Sequence, residues 1–525
     1  MNLITDSWIP VIRKDGTSDT ILPRQIAEVE NPVIEIDAPR PDFQGALYQF
    51  LIGLLQTCFA PEDEDTWEKY WKKSPEPNEL NGSFGKVEDA FELDNPDGPA
   101  FMQDYDLQDG EPKKIAALLI EGPGGKTLKD NLDHFVKRDQ ISYLCSACTA
   151  TALFTLQTNA PSGGSGNRVG LRGGGPLTTL IMSVTTEVSL WKKLWLNVLN
   201  QEEIAGTESM ESSVMPWLAA TRLSENGAIT TPNDVNALQM YWGMPRRIKL
   251  VKNEESGKCD LCGKQVASLY KNYRTKKHGI NYDGPWVHPL TPYRFDPKKK
   301  NIPLSLKGQK GGLGYRHWLG LALQDAEMGD KAATIVQVFN DERGRSLFNG
   351  HSASLWCFGY DMDNMKARCW YDSRFPIFSL NDKQRLNLID WAGELIRAAR
   401  EVVKILRNEI KSAWFRRPGD AKGDMRIIDK QFWEKTEPDF YQLLYKLAKL
   451  PVETRMAPSE IYLSWFQILE KSVFEIFEKA TLESTPEDLD LKRIISAQQT
   501  LKKKFYGNKS IKNLKAKSIH EGATR

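Results

Sequence analysis

The sequence predicts an α+β protein, in which a large mixed N-terminal domain with a Cys₄ zinc site is followed by a C-terminal four-helix bundle. Three observations lead to this. Two Cys-x-x-Cys pairs, Cys145/Cys148 and Cys259/Cys262, stand far apart in the chain. Up to about Phe378, short apolar runs alternate with Gly and Pro breaks. From Asn381 onward, amphipathic stretches of helical period take over. The chain has 525 residues, enough for about two to four domains. The change of character divides it into a mixed α/β domain, 1–378, and a helical domain with a basic tail, 379–525.

In chain order, the segment from Phe43 to Phe59 is nearly continuously apolar and reads as a buried helix. Its apolar part, Ala46 to Ala60, is too short to span a bilayer and carries Gln49 and Gln56. The opening MNLITDSWIP lacks the basic start and apolar run of a signal peptide. Seven cysteines, mostly in paired turns, suit a reducing compartment. A soluble cytoplasmic protein without a membrane partner is expected. Leu177–Val184 and Ala333–Phe339 are short, β-branched and flanked by breakers, and they read as strands.

The first C-terminal helix opens on an Asn381/Gln384 capping box and carries the stripe Leu388, Trp391, Leu395, Val402 and Ile405. Pro438 sits near the start of a second, with Phe440, Leu443, Leu444 and Leu447. Pro458 and Ser459 open a third, with Leu463, Phe466, Val473, Ile476 and Phe477 facing inward. Pro486 opens a fourth, running through Leu491, Ile494 and Ile495 to Leu501. Four such segments joined by short breaks predict an antiparallel bundle.

Zinc takes four tetrahedral ligands, and each Cys-x-x-Cys turn supplies two thiolates at a suitable separation. The two pairs therefore predict one shared structural Zn²⁺ site at Cys145, Cys148, Cys259 and Cys262. Four buried thiols, or a redox pair of the thioredoxin kind, are the other readings. A closed Cys₄ site has no open position for hydrolysis. Pro161 to Pro176 (PSGGSGNRVGLRGGGP) is the second informative stretch. Its glycines let backbone approach a ligand closely, and Arg168 and Arg172 favour an anionic one. A flexible surface loop is the alternative.

Catalytic signatures do not assemble. Gly125-Lys126-Thr127 follows an apolar run, but Ile120 stands where a P-loop needs glycine. The six histidines show no metal spacing, and there is no Gly-x-Ser-x-Gly elbow. His288, beside Trp286 and downstream of Cys262, leaves a zinc-stabilised HNH-like nuclease as the alternative function. The charge is nearly balanced, with 70 Lys and Arg against 69 Asp and Glu. The basic residues nevertheless cluster at Lys271–Lys277, at Lys298–Lys300 and from Lys502 to Lys517. Local patches on a neutral body suit a subunit that shares nucleic acid with other subunits.

The chain resembles the large subunit (CasA family) of Cascade, the type I-E CRISPR surveillance complex. The resemblance rests on MNLITDSWIPV, PRPDFQGALYQFLIGLLQTCFAP, PAFMQD at Pro99–Asp104, the block from Cys145 to Thr179, CDLCGK at Cys259–Lys264, and GPWVHPLTP at Gly284–Pro292. It implies a non-catalytic subunit that recognises the protospacer-adjacent motif in double-stranded DNA, promotes strand separation and R-loop formation, and recruits the helicase–nuclease. Implied partners are the crRNA-bearing backbone subunits, the small-subunit dimer and the 5′-handle-binding subunit. It places motif recognition on Ser162, Gly163, Gly164, Ser165 and Gly166, with an inserting lysine at Lys277 or Lys276. A strand-separating wedge falls on Asn364 and Met365. Lys298, Lys299 and Lys300 match a phosphate-binding patch. Phe135 and Val136 match the loop that anchors the subunit to the crRNA-bearing core.

Overall fold

The computed structural model describes residues 1–519 except 97, 123–139, 186, 205–210, 299, 348–352, 364, 420–424 and 483–489. The chain forms two compact units. The first comprises 1–308, 333–336 and 352–374; the second comprises 309–332, 337–351 and 375–525. The helical unit thus includes segments that precede the change of sequence character at Phe378.

In the first unit, the helix Pro41–Cys58 starts with Pro at its first position and is apolar on all sides, so it lies inside the unit. Phe50 sits at the centre of an aromatic cluster. The rings of Trp8, Phe91, Phe101, Phe154 and Trp242 meet it edge to face at 5.3–5.9 Å between centroids. The three glutamines of this helix are all hydrogen-bonded, and Gln44 donates to the Ile36 carbonyl at 2.6 Å. Gln56 exchanges two hydrogen bonds with the Leu199 backbone at 2.8 and 2.9 Å, and Gln49 accepts from Arg172 at 2.6 Å.

Three of the sheets are three-stranded. Ile9–Arg13 lies between Ser18–Ile21 and Val33–Ile36, antiparallel to both. Leu269–Lys276 lies between Glu111–Lys114 and Arg247–Asn253. Thr178–Ser183 pairs antiparallel with Ala353–Asp363, whose other neighbour is Lys366–Ile377. The strand expected at Leu177–Val184 is therefore present.

The second expected strand is not. Thr334–Val338 is helical and continues into a wider π-type turn, Phe339–Arg343. Ile335, Val336, Val338 and Phe339 are buried while Gln337 is exposed. That burial follows helical spacing, and a run this short carries too few periods to separate strand from helix.

The helical unit centres on Asp382–Trp414, a helix of 33 residues. Asn381 caps it as expected, accepting from the Gln384 N–H at 2.9 Å. Arg426–Ala448, Ser459–Leu482, Leu491–Gly507 and Lys509–Lys517 pack around it, giving five helices among the described residues of the C-terminal region. The last, capped by Asn508, was not foreseen as separate. Pro438 lies inside the second helix, not at its start. Proline removes one ladder donor there. Burial of Phe432, Trp433, Phe440, Leu443, Leu444 and Leu447 holds the helix through it. The fourth helix begins at Leu491 with Asp490 as its cap, and Pro486 lies outside the described residues. Leu463 is exposed, because the inward stripe of its helix runs through Ile461, Trp465, Leu469, Val473 and Ile476. Within this unit, Tyr315 stacks on Phe440 at 4.4 Å and shares a hydrogen bond of 2.9 Å with Thr436, fastening the 309–332 segment.

Candidate nucleic-acid interface and cysteine cluster

The two Cys-x-x-Cys pairs meet. The sulfurs of Cys145, Cys148, Cys259 and Cys262 all lie within 4.8 Å of one another, and Cys145 Sγ is 3.7 Å from Cys262 Sγ. A tetrahedron with Zn–S bonds of about 2.3 Å has edges of about 3.8 Å, so the donor set and spacing fit a tetrahedral metal. Hydrogen bonding from Cys145 and Cys148 draws the Cys259 thiol well below its ordinary range. Hydrogen bonding to Cys148 draws Cys262 down to about 6, and hydrogen bonding to Cys145 pushes Cys148 up. Thiols this close cannot ionise independently, and a bound cation removes the conflict. The cluster can hold a metal ion.

Local structure explains why they meet. Cys145 is the N-cap of the helix Ser146–Asn159, and its sulfur accepts from the Cys148 N–H. Cys259 and Cys262 sit in the turn between two short paired strands, Gly257–Lys258 and Gln265–Val266. The Asp260 carboxylate accepts from the Ser142 and Tyr143 N–H groups at 2.7 and 2.8 Å. Leu144 and Tyr270 exchange backbone hydrogen bonds at 3.0 and 2.8 Å.

From this knot two elements run side by side. The helix Ser146–Asn159 (14 residues) spans about 21 Å, and the strand Leu269–Lys276 (8 residues) about 26 Å. The helix leads into the glycine-rich loop, and the strand ends on Lys276, with Lys277 next in the chain. There they meet again, where the His278 N–H donates to the Gly166 carbonyl at 2.7 Å.

At this meeting point Gly163 and Gly166 have no room for side chains. A Cβ on Gly163 would lie 2.5 Å from Asn167 Cβ and 2.8 Å from Arg246 Nη1. One on Gly166 would lie 2.8 Å from Lys277 Cβ. Gly164 and Gly166 have φ of +80° and +79°, in the left-handed region. Asn167 closes the turn, its side chain donating to the Gly163 carbonyl at 2.8 Å and its N–H to that of Gly164 at 3.1 Å. Ser162, Gly164, Ser165, Lys276 and Lys277 are exposed.

Met365, 55% exposed, lies nearby: a Cβ on Gly164 would be 3.9 Å from its sulfur. The hairpin carrying it is braced by Arg368, which forks onto Asp361 and reaches Asp363 at 3.0 Å. The structure thus groups Gly164, Gly166, Lys277 and Met365, which lie in three separate stretches of sequence.

Other expected residues fall elsewhere. Lys298 and Lys300 are exposed on a turn whose N–H groups donate to Asp296 at 2.9 and 3.3 Å. Lys299, Asn364, Phe135, Val136 and Gly125–Thr127 lie outside the described residues. The loop arginines are not available to an anion. Arg172 is buried, donating to Gln49, Thr178 and Thr291, and Arg168 is spent on Ser224 at 2.7 and 2.9 Å. His288 is buried, its Nδ1 accepts from the Leu290 N–H at 3.1 Å, and burial holds its pKa well below the ordinary value. Arg246, beneath Gly163, was not foreseen. Its only signal in the sequence is the Arg246-Arg247 pair opening a strand.

The sequence pattern of the family described as CRISPR-associated protein Cse1 matches residues 2–476. Among solved structures, the chain is similar to CasA (Cse1) of Thermus thermophilus, with 18% identity over 97% of this chain and 99% of that one, and a TM-score of 0.70. Cse1 of Thermobifida fusca is similar at 16% identity, 99% and 98% coverage and a TM-score of 0.70. A chain of a CRISPR RNA-guided surveillance complex is similar at 14% identity, 95% and 99% coverage and a TM-score of 0.67. These structures establish the fold, and the sequence pattern, matching nine-tenths of the length, establishes the family. The chain belongs to the CRISPR-associated Cse1 (CasA) family, the large subunit of type I-E Cascade.

Proposed function

We propose that this chain is the motif-reading subunit of a crRNA-guided antiviral surveillance complex. It binds the protospacer-adjacent motif of double-stranded DNA, promotes strand separation and R-loop formation, and recruits the helicase–nuclease. It has no catalytic step of its own. The observation that carries this reading is the convergence of the loop glycines Gly163, Gly164 and Gly166 with Lys277 and Met365 on one patch. Backbone can enter the narrow minor groove, whose degenerate pattern suits loose sequence readout. Lys277, or Lys276 beside it, supplies a donor to the groove acceptors. Met365, with Asn364, supplies an apolar wedge of the kind that unstacks base steps.

Energetics favour such a division of labour. Hybrid formation nearly balances duplex loss, while each DNA stacking step is worth about 1.4 kcal/mol. The first steps open before any hybrid has formed, so protein contacts at the motif must offset them. Lys298, Lys299 and Lys300 fit a phosphate-contacting role that adds affinity without sequence information. Phe135 and Val136 would anchor the subunit on the crRNA-bearing backbone and 5′-handle-binding subunits. The C-terminal helices would face the small-subunit dimer and the displaced strand.

The metal is Zn²⁺ in this reading, and it serves as a cross-link between the roots of the loop and of the lysine strand. A cytoplasmic setting accords with the reduced thiols that such a site requires. No helix among the described residues is long and apolar enough to cross a membrane. The nuclease alternative requires His288 to reach solvent, and its burial argues against that.

The test is motif-dependent DNA binding by the complex containing Lys277→Ala. Loss of the preference for motif-bearing duplex, with assembly intact, is the expected result. An unchanged preference for both Lys277→Ala and Lys276→Ala overturns the assignment.

A further inference from the structure

Arg246 is a half-buried cation with no counter-charge among the described residues. Its neighbour Arg247 pairs with the buried Asp104, but Arg246 forms no ion pair among the described residues. Its guanidinium donates to the Pro161 carbonyl, and its Nε is buried without a hydrogen-bond partner. Burial lowers its pKa to about 10, which leaves it protonated at neutral pH. Removing a guanidinium from water without a carboxylate is costly, so a protein keeps one only where something else completes it.

The position shows where that completion comes from. Arg246 Nη1 lies directly under the loop, 2.8 Å from where a Gly163 Cβ would be. The next two residues of the loop, Gly164 and Ser165, are exposed. A half-buried charge at the base of an exposed turn is less screened by water than one in bulk solvent, so its field acts on an anion that meets the loop. The charge is also continued sideways. Lys276 and Arg274 are exposed and project from one face of the sheet, as their spacing of two along the strand dictates. Lys277 follows at the strand end. Such a line of charges fits a polymeric anion better than a single small one.

We propose that Arg246 is a binding residue for the nucleic-acid backbone, charging the glycine loop from beneath so that an approaching phosphate supplies the counter-charge the chain lacks. This rests on the reading of the loop as a DNA-contacting element. The alternative role, a purely structural prop for Pro161, makes a different prediction. A neutral amide can still donate to the Pro161 carbonyl, whereas only a cation contributes to counter-ion release.

The test uses the assembled surveillance complex and motif-bearing duplex, with binding measured between about 50 and 200 mM salt. Each phosphate neutralised contributes about 0.9 to the slope of log K against log salt. R246Q is expected to flatten the slope by about that amount and to weaken binding most at low salt. R246K is expected to retain the wild-type slope, with metal content unchanged in both. A wild-type slope in R246Q overturns the proposal, even if overall affinity falls, because that outcome describes a structural prop. Equal flattening in R246K and R246Q also overturns it, because charge is then not the property that matters. If the wild-type complex shows no preference for the motif, motif reading fails by itself. The slope comparison then still decides the role of Arg246 on any duplex.

Discussion

Gly163 and Gly164 lie side by side but make different predictions. A methyl at 163 meets Asn167 and Arg246 at 2.5 and 2.8 Å, so Gly163→Ala must displace the turn and is expected to abolish motif-dependent binding. Gly164 has open space apart from Met365, and its constraint is φ of +80°. Gly164→Ala therefore costs stability by about 1–2 kcal/mol, read as a shift in denaturant midpoint, without a steric clash. Lys277 is exposed, so Lys277→Ala is expected to change stability by less than about 0.5 kcal/mol. Its loss of motif-duplex affinity is expected at about 1–3 kcal/mol, a factor of about 5 to 200 in Kd. The cysteines, the loop and Lys277 were legible in the sequence because each belongs to a short local pattern. Arg168 and Arg172 suit an anion by composition, yet the fold commits both to protein partners. Composition cannot show that Ser224 consumes one and Gln49 the other, since those partners are remote in sequence. Arg246 likewise acquires its place only through Pro161 and Gly163, which are remote from it in sequence.

Among the elements, the helix Ser146–Asn159 and the strand Leu269–Lys276 share one root at the cysteine cluster and meet again at Gly166 and His278. Cys259→Ser is expected to remove the metal and cost about 3 kcal/mol or more. Metal analysis should show the loss, and amide exchange should accelerate at Leu144 and Tyr270, whose mutual hydrogen bonds close the knot. Full metal content in that variant would refute the shared site. In the helical unit, Asn381→Ala removes the cap of the longest helix and is expected to cost about 1 kcal/mol in chemical denaturation. Long periodic helices with recognisable caps were readable from sequence alone. The short run at 333–339 was not, because its residues suit strand and helix equally. Pro438 misled for a related reason, as tertiary burial outweighs a single missing donor.

At the scale of the whole molecule, the two units divide the chemistry, with the cysteine cluster and the glycine loop both in the first. The second unit gathers segments from before and after the 352–374 hairpin. A reading along the chain could not foresee this, since contiguity in sequence is its only guide to membership. The family pattern extends through both units, over residues 2–476. Motif recognition by this chain is best tested by target binding of the guide-RNA complex assembled with and without it. Duplexes carrying an intact or a scrambled adjacent motif would be compared at fixed salt. Tight binding restored only to the intact-motif duplex is the predicted result, while equal help to both duplexes, or none to either, would contradict it.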